Sequence, residues 1–194
     1  MSAIEQVWPS GVFRRRAPWL AADNGGESII GFAFAFPILV ALSLGILEFS
    51  LLVFDYHRAA EATRRGARLA AISSPVPDVS GFDTGTVIGC SSSGGTVTCN
   101  GDAAAMASVF SQVVADMRGI LPIIAADNVE IEYRDSGIGN PDTPGGIIPL
   151  VTARLVGLVR PLYFAGAIPG LPVTFTLPPF TTNQVASGLG PTGS

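Results

Sequence analysis

The sequence predicts an α+β chain: a long N-terminal transmembrane helix that continues into a small extracytoplasmic domain with a second helix and a short antiparallel sheet. Three observations predict it. Residues 29–54 form one apolar block holding a single ionisable side chain, Glu48. Helical periodicity runs on beyond that block to residue 72. After residue 120, short stretches alternate apolar and polar residues in the period of a strand, among many of the 23 glycines and 15 prolines of the chain.

The apolar block, IIGFAFAFPILVALSLGILEFSLLVF, would be about 39 Å long as a helix. The hydrocarbon core of a bilayer is roughly 30 Å thick, so the block can cross it with tilt. Lipid offers no hydrogen bonds to the backbone, which forces such a segment to be helical. Pro37 removes one backbone bond and is a candidate kink. The competing expectation is a buried core helix, but core helices of this length are seldom apolar all round. Glu48 is the conspicuous residue. A charge in a membrane span is costly and marks a functional site by default; the plainer alternative is that it reaches the nearby interface. Flanking charge sets orientation. Arg14, Arg15 and Arg16 precede the span and predict a cytoplasmic tail, whereas Arg58, Arg64, Arg65 and Arg68 follow it and compete.

Residues 55–72 carry one small face (Ala59, Ala60, Ala67, Ala70, Ala71) and one polar face (Arg58, Glu61, Arg65, Arg68). No proline intervenes before Pro75, so a single helix is expected from about residue 28 to about residue 72. The small face suits close packing, on the chain's own domain or on a neighbouring helix. Residues 79–100 form a polar, Gly-rich loop or hairpin in which Cys90 and Cys99 bracket SSSGGTVT. The pair predicts a disulfide in an oxidising compartment and supports a periplasmic domain; two free thiols are the alternative. Residues 102–119 read as a second helix with Asp102 near its start, Met106, Val109, Val113 and Met117 at helical spacing, and Gly119 as its stop. Strands are predicted over residues 128–134, 150–159 and 171–177, with a turn region at 136–146. The apolar run RPLYFAGAIPG is too short and too broken by proline for a second span, and the polar stretch from Thr181 is expected to be loose.

Composition narrows the function. The net charge of −4 and pI of about 4.8 leave no broad basic surface for nucleic acid. Two cysteines and one histidine are too few for a Cys/His zinc site, and no cofactor is expected. His57 is the sole histidine, next to Asp55 and Tyr56 at the end of the apolar block. No nucleophile elbow or phosphate loop is present. Asp116, Asp127, Glu130 and Glu132 lack a spacing that demands acid/base or metal chemistry. No catalytic, cofactor-binding or metal residue is therefore assigned, and no enzyme is expected.

The run from Gly25 to Ala71 resembles the TadE-like family of pilus-assembly proteins, minor pilins (pseudopilins) of the tight-adherence (Tad/Flp) type IV pilus. Gly45, Glu48 and Phe49 match its Gly-x-x-Glu-Phe motif, residues 62–68 (ATRRGAR) match its small-residue helix end, and Pro37 falls where its proline does. The resemblance implies a basic cytoplasmic leader over residues 1–26, a transmembrane and stem helix over 27–72 and an extracytoplasmic α+β domain over 73–194. It implies a single pass through a bacterial inner membrane, with the pilus itself as a further destination. Its partners would be the membrane, other pilins and pilus-assembly proteins, and a prepilin peptidase cutting after Gly26 to leave Glu27 at the mature N-terminus; Gly25 is an alternative cut. It makes Glu48 and Phe49 candidates for an intramembrane assembly contact. The sequence departs from the pattern at Gly31, where such precursors usually carry the Glu that follows the cut by five residues. An uncleaved, membrane-anchored periplasmic binding or scaffold protein is the alternative reading.

Overall fold

The computed structural model describes residues 25–78, 83–100, 105–139 and 147–186. The chain divides into two compact units, Met1–Ser43 and Leu44–Ser194. Residues 1–24, most of the expected leader of residues 1–26, lie outside the described residues.

Helix α1 (Gly25–Ile72) contains Pro37. Through residue 39 its described side chains are exposed on every side, including Ile29, Phe32, Phe36 and Leu39. It is the one helix among the described residues long and apolar enough to cross a membrane. From Leu44 onward burial appears at helical spacing: Leu44 and Leu52 are half-buried, and Glu48, Asp55, Ala59, Ala62, Gly66 and Ala70 are buried. The stripe is made of small residues over its last four turns, so the helix backbone can lie close to what it packs on.

That partner is the sheet together with α2 (Ala107–Ile120). Strands β1 (Val87–Ser93), β2 (Thr96–Cys99), β3 (Val129–Gly139), β4 (Ile147–Leu155) and β7 (Phe180–Val185) form an antiparallel sheet in the order β2-β1-β3-β4-β7. β5 (Val159–Pro161) and β6 (Thr174–Thr176) pair separately as a hairpin. Strand alternation sets the faces: Val129, Ile131 and Tyr133 of β3 point inward, while Glu130, Glu132 and Arg134 do not. Opposite them lie Leu155, Ala153 and Val151 of β4. Phe110, Val113, Val114 and Met117 of α2 join Ala59, Ala62 and Ala70 of α1 in the same core. At Gly66 the two helices meet so closely that an added Cβ would stand 2.6 Å from Met117 Sδ. Arg65 Nε donates to Asp116 Oδ2 at 2.7 Å beside this contact, and that hydrogen bond raises the pKa of Arg65 above its ordinary value.

The expected hairpin of the cysteines is β1–β2. Gly94 and Gly95 both take positive φ, as a two-residue turn with the twist of the strands requires. Cys90 and Cys99 face each other in register and form a disulfide. Other elements differ in detail from the sequence pattern. α2 starts at Ala107, with Met106 at the N-cap position and no side-chain cap; Asp102 lies outside the described residues. The strand expected over residues 150–159 is two strands, because Gly157 turns the chain at positive φ between β4 and β5. The strand expected over 171–177 is the short β6, outside the main sheet. The stretch from Thr181, expected to be loose, is ordered through Val185 as most of the edge strand β7: β4 offers an open edge, and ladder hydrogen bonds use backbone groups whatever the side chains.

Candidate functional site

The polar residues of α1 nearest the apolar block define the site. Glu48 is only 8% exposed, although it sits in the most apolar part of the sequence. Its carboxylate is filled by three backbone donors from the tip of the β5–β6 hairpin. The N–H groups of Tyr163 and Phe164 donate to Oε1, the latter at 3.0 Å, and that of Ala165 donates to Oε2 at 2.8 Å. These amides lead into the 3-10 turn Ala165–Ala167, and successive donors converging on one anion suit a carboxylate. The space left between helix and hairpin here is about 10 Å³, too small for a partner's side chain.

Seven residues on, and so on the same helix face, Asp55 meets the base of the hairpin. Arg160 Nε lies 3.0 Å from Asp55 Oδ2. The pair is held by charge rather than by an aligned hydrogen bond, since among the described residues Asp55 Oδ2 accepts none. Arg160 also fixes β5 against β6 through its register with Phe175. Glu48 and Asp55 thus hold the hairpin at two points along α1, one charged at its base and one bonded to backbone at its tip.

The two residues of the Glu-Phe motif do not share a surface. Phe49 is one position further along the helix, about 100° around its axis, and is 67% exposed. Glu48 faces the chain's own domain, and Phe49 faces away from it. Gly26 is exposed near the start of α1, and an added Cβ at Gly31 would meet nothing.

The second polar feature of α1 is an open groove of about 820 Å³ lined by Glu61, Arg64, Arg65, Arg68, Asp116 and Gln184, among others. Its charges are partly matched, with Glu61 3.7 Å from Arg64 and Asp116 against Arg65. Two further acids have structural partners. Asp127 accepts from Ser92 Oγ at 2.9 Å and from the Gly94 N–H, and Glu132 pairs with Arg134 and Arg154. His57 is exposed beside the ring of Tyr56. Among the described residues no three His, Cys, Asp or Glu side chains gather as metal ligands would.

Sequence reasoning singled out Glu48 but not its partners. Asp55 and Arg160 were legible only as ordinary charges, and the donors of residues 163–165 are backbone. One signal was available: Glu48 and Asp55 share a helix face, and Arg160 is the last charged residue of the chain, directly before an apolar run.

In comparison with known proteins, residues 26–68 match the model of the family described as TadE-like protein. The match includes Glu48, Asp55 and Gly66 and ends where α1 is buried against the domain. It supports a role in Tad pilus assembly. No curated protein and no solved structure matches the chain.

Proposed function

From the premise that residues 26–68 are TadE-like, we propose that this protein is a minor pilin or pseudopilin of a tight-adherence pilus, acting by association. The observation that carries the reading is the first part of α1. Within the matched segment, the apolar side chains of residues 29–39 are exposed among the described residues. Such a stem is stable only in lipid or against other apolar helices, and a pilin exchanges the first for the second.

In this reading residues 1–26 are a cytoplasmic leader, residues 27–72 the membrane and stem helix, and residues 73–194 the domain on the far side of an inner membrane. A prepilin peptidase cuts after Gly26, leaving Glu27 first, and the partners are the membrane and other pilus components. Phe49, exposed on the stem, contacts a neighbouring subunit. Glu48 contributes to assembly indirectly, by holding the hairpin beside the stem. A second reading, an uncleaved anchor that scaffolds assembly, is favoured by Gly31, which cannot pair with a neighbour's N-terminal amine as a glutamate would.

Intact mass and N-terminal sequencing of protein purified from membranes containing the peptidase separate the two. A chain beginning at Glu27 supports the pilin. A chain retaining its full leader refutes processing and leaves the scaffold.

A further inference from the structure

The β5–β6 hairpin presents an apolar surface that is exposed among the described residues. Tyr163, Phe164, Ile168, Leu171, Val173 and Phe175 are all more than 40% exposed. Residues 161–177 contain no Asp, Glu, Lys or Arg. Contiguous exposed apolar surface marks a binding face, and its position along α1 identifies what it faces. The tip is hydrogen-bonded to Glu48, which lies inside the apolar block and about 9 Å before its end at Phe54. The base is tied to Asp55, the first residue beyond that end. The hairpin therefore descends alongside α1 from the border of the apolar block into it.

Irregular backbone is excluded from lipid because its polar groups would be unpaired. Here seven of the nine N–H groups of residues 162–171 have acceptors. Tyr163, Phe164 and Ala165 N–H groups bond Glu48. Those of Leu162, Ala167, Ile168 and Leu171 donate to carbonyls within the hairpin. Pro161, Pro169 and Pro172 have no N–H to satisfy. Conversely, Glu48 would be costly in lipid without partners, and the three amides are its partners. The carboxylate and the turn each make the other tolerable at that depth.

We propose that the β5–β6 hairpin is a second membrane-seated element of this chain, inserted beside α1 into the leaflet at which α1 leaves the bilayer, with Glu48 as the internal acceptor that lets its turn enter the apolar layer. The depth, from Asp55 to Glu48, is about 10 Å along the helix, which matches that of interfacial elements buried at the headgroup–acyl boundary. The occupant of the apolar face is lipid. The proposal rests on residues 29–54 crossing a membrane and is independent of leader cleavage.

The test uses the full chain with Trp8 and Trp19 replaced by Phe, reconstituted at one copy per phosphatidylcholine nanodisc, with and without lipids brominated high on the acyl chain. Reporters are I168W and L171W, both at exposed positions, with F34W as the monitor of the span. Bromolipid is expected to lower the emission of all three by about twofold or more, as for any residue at the acyl boundary. Adding E48A should abolish most of the quenching of I168W while leaving F34W quenched. If F34W is quenched and both hairpin reporters are not, the proposal is overturned and the apolar face belongs to a protein partner. If E48A leaves I168W fully quenched, Glu48 is not the anchor and that part is overturned. If F34W itself is not quenched, the membrane-span reading fails and the proposal falls with it.

Discussion

Gly66 sits in the small-residue stretch that carries the family resemblance, and its contact with Met117 predicts a sign reversal. In an otherwise ordinary helix, Gly→Ala stabilises by about 1 kcal/mol because glycine loses more backbone entropy. At Gly66 the new Cβ would lie 2.6 Å from Met117 Sδ and 2.9 Å from its Cγ. Met117 is fully buried, so it must shift within a packed core, and overpacking of this kind costs about 1–3 kcal/mol. The expected net effect of G66A is a loss of about 0–2 kcal/mol. M117A removes the three atoms nearest the new Cβ, and in that background G66A should stabilise by about 1–2 kcal/mol: helix propensity, plus a methyl group in the vacated space. The coupling between the two sites is then about 1–4 kcal/mol, in and above the range for side chains in contact. Denaturant unfolding of the full chain in micelles, followed by near-ultraviolet circular dichroism, measures all four corners of the cycle. Equal effects of G66A in both backgrounds would refute the argument that this glycine exists to admit α2.

Three further outcomes are expected. Val76 N–H donates to the buried Tyr133 hydroxyl at 3.2 Å, so Y133F should cost about 1–3 kcal/mol by leaving a buried donor unpaired. Burial also pushes the Tyr133 pKa up to about 12; its contribution is complete below the ordinary tyrosine value near 10 and is lost as pH rises through the folded value, about 2–3 kcal/mol in all. Y133F should flatten that alkaline limb in a stability–pH curve. Asp135 is held below its ordinary pKa by the N–H groups of Gly137 and Gly85. Its contribution is present above about pH 4 and disappears as pH falls through the depressed folded value, so D135N should reduce the acid dependence of the unfolding midpoint. Finally, C90A/C99A opens the hairpin cross-link, and loops of this size give about 2–3 kcal/mol; a midpoint unchanged between the wild type and the double variant would show that β1–β2 needs no covalent closure.

The stem helix, the cysteine hairpin and the central strand were legible because each is specified locally. Residues 29–54 have one way to satisfy their backbone in lipid. Gly94 and Gly95 supply the two positive φ values of a tight turn, and Val129, Ile131 and Tyr133 alternate with charged neighbours. The edge strand β7 was missed because FTTNQV has little apolar alternation, and an edge is recruited by the open ladder beside it rather than by its own pattern. The break between β4 and β5 was missed because Gly157 reads in sequence like any glycine in an apolar run.

The candidate site divides in the same way. The sequence by itself determined that Glu48 is exceptional, since an acid within an apolar block stands out by composition alone. Its role in the fold was decided by tertiary structure. The groups that satisfy it are amides 115 to 117 residues away, and every residue except proline supplies such a donor, so no side-chain pattern could announce them. The same holds for Arg160 with Asp55 and for Gly66 with Met117. Local periodicity sets which face of a helix turns inward, but only the folded chain determines which atoms that face meets.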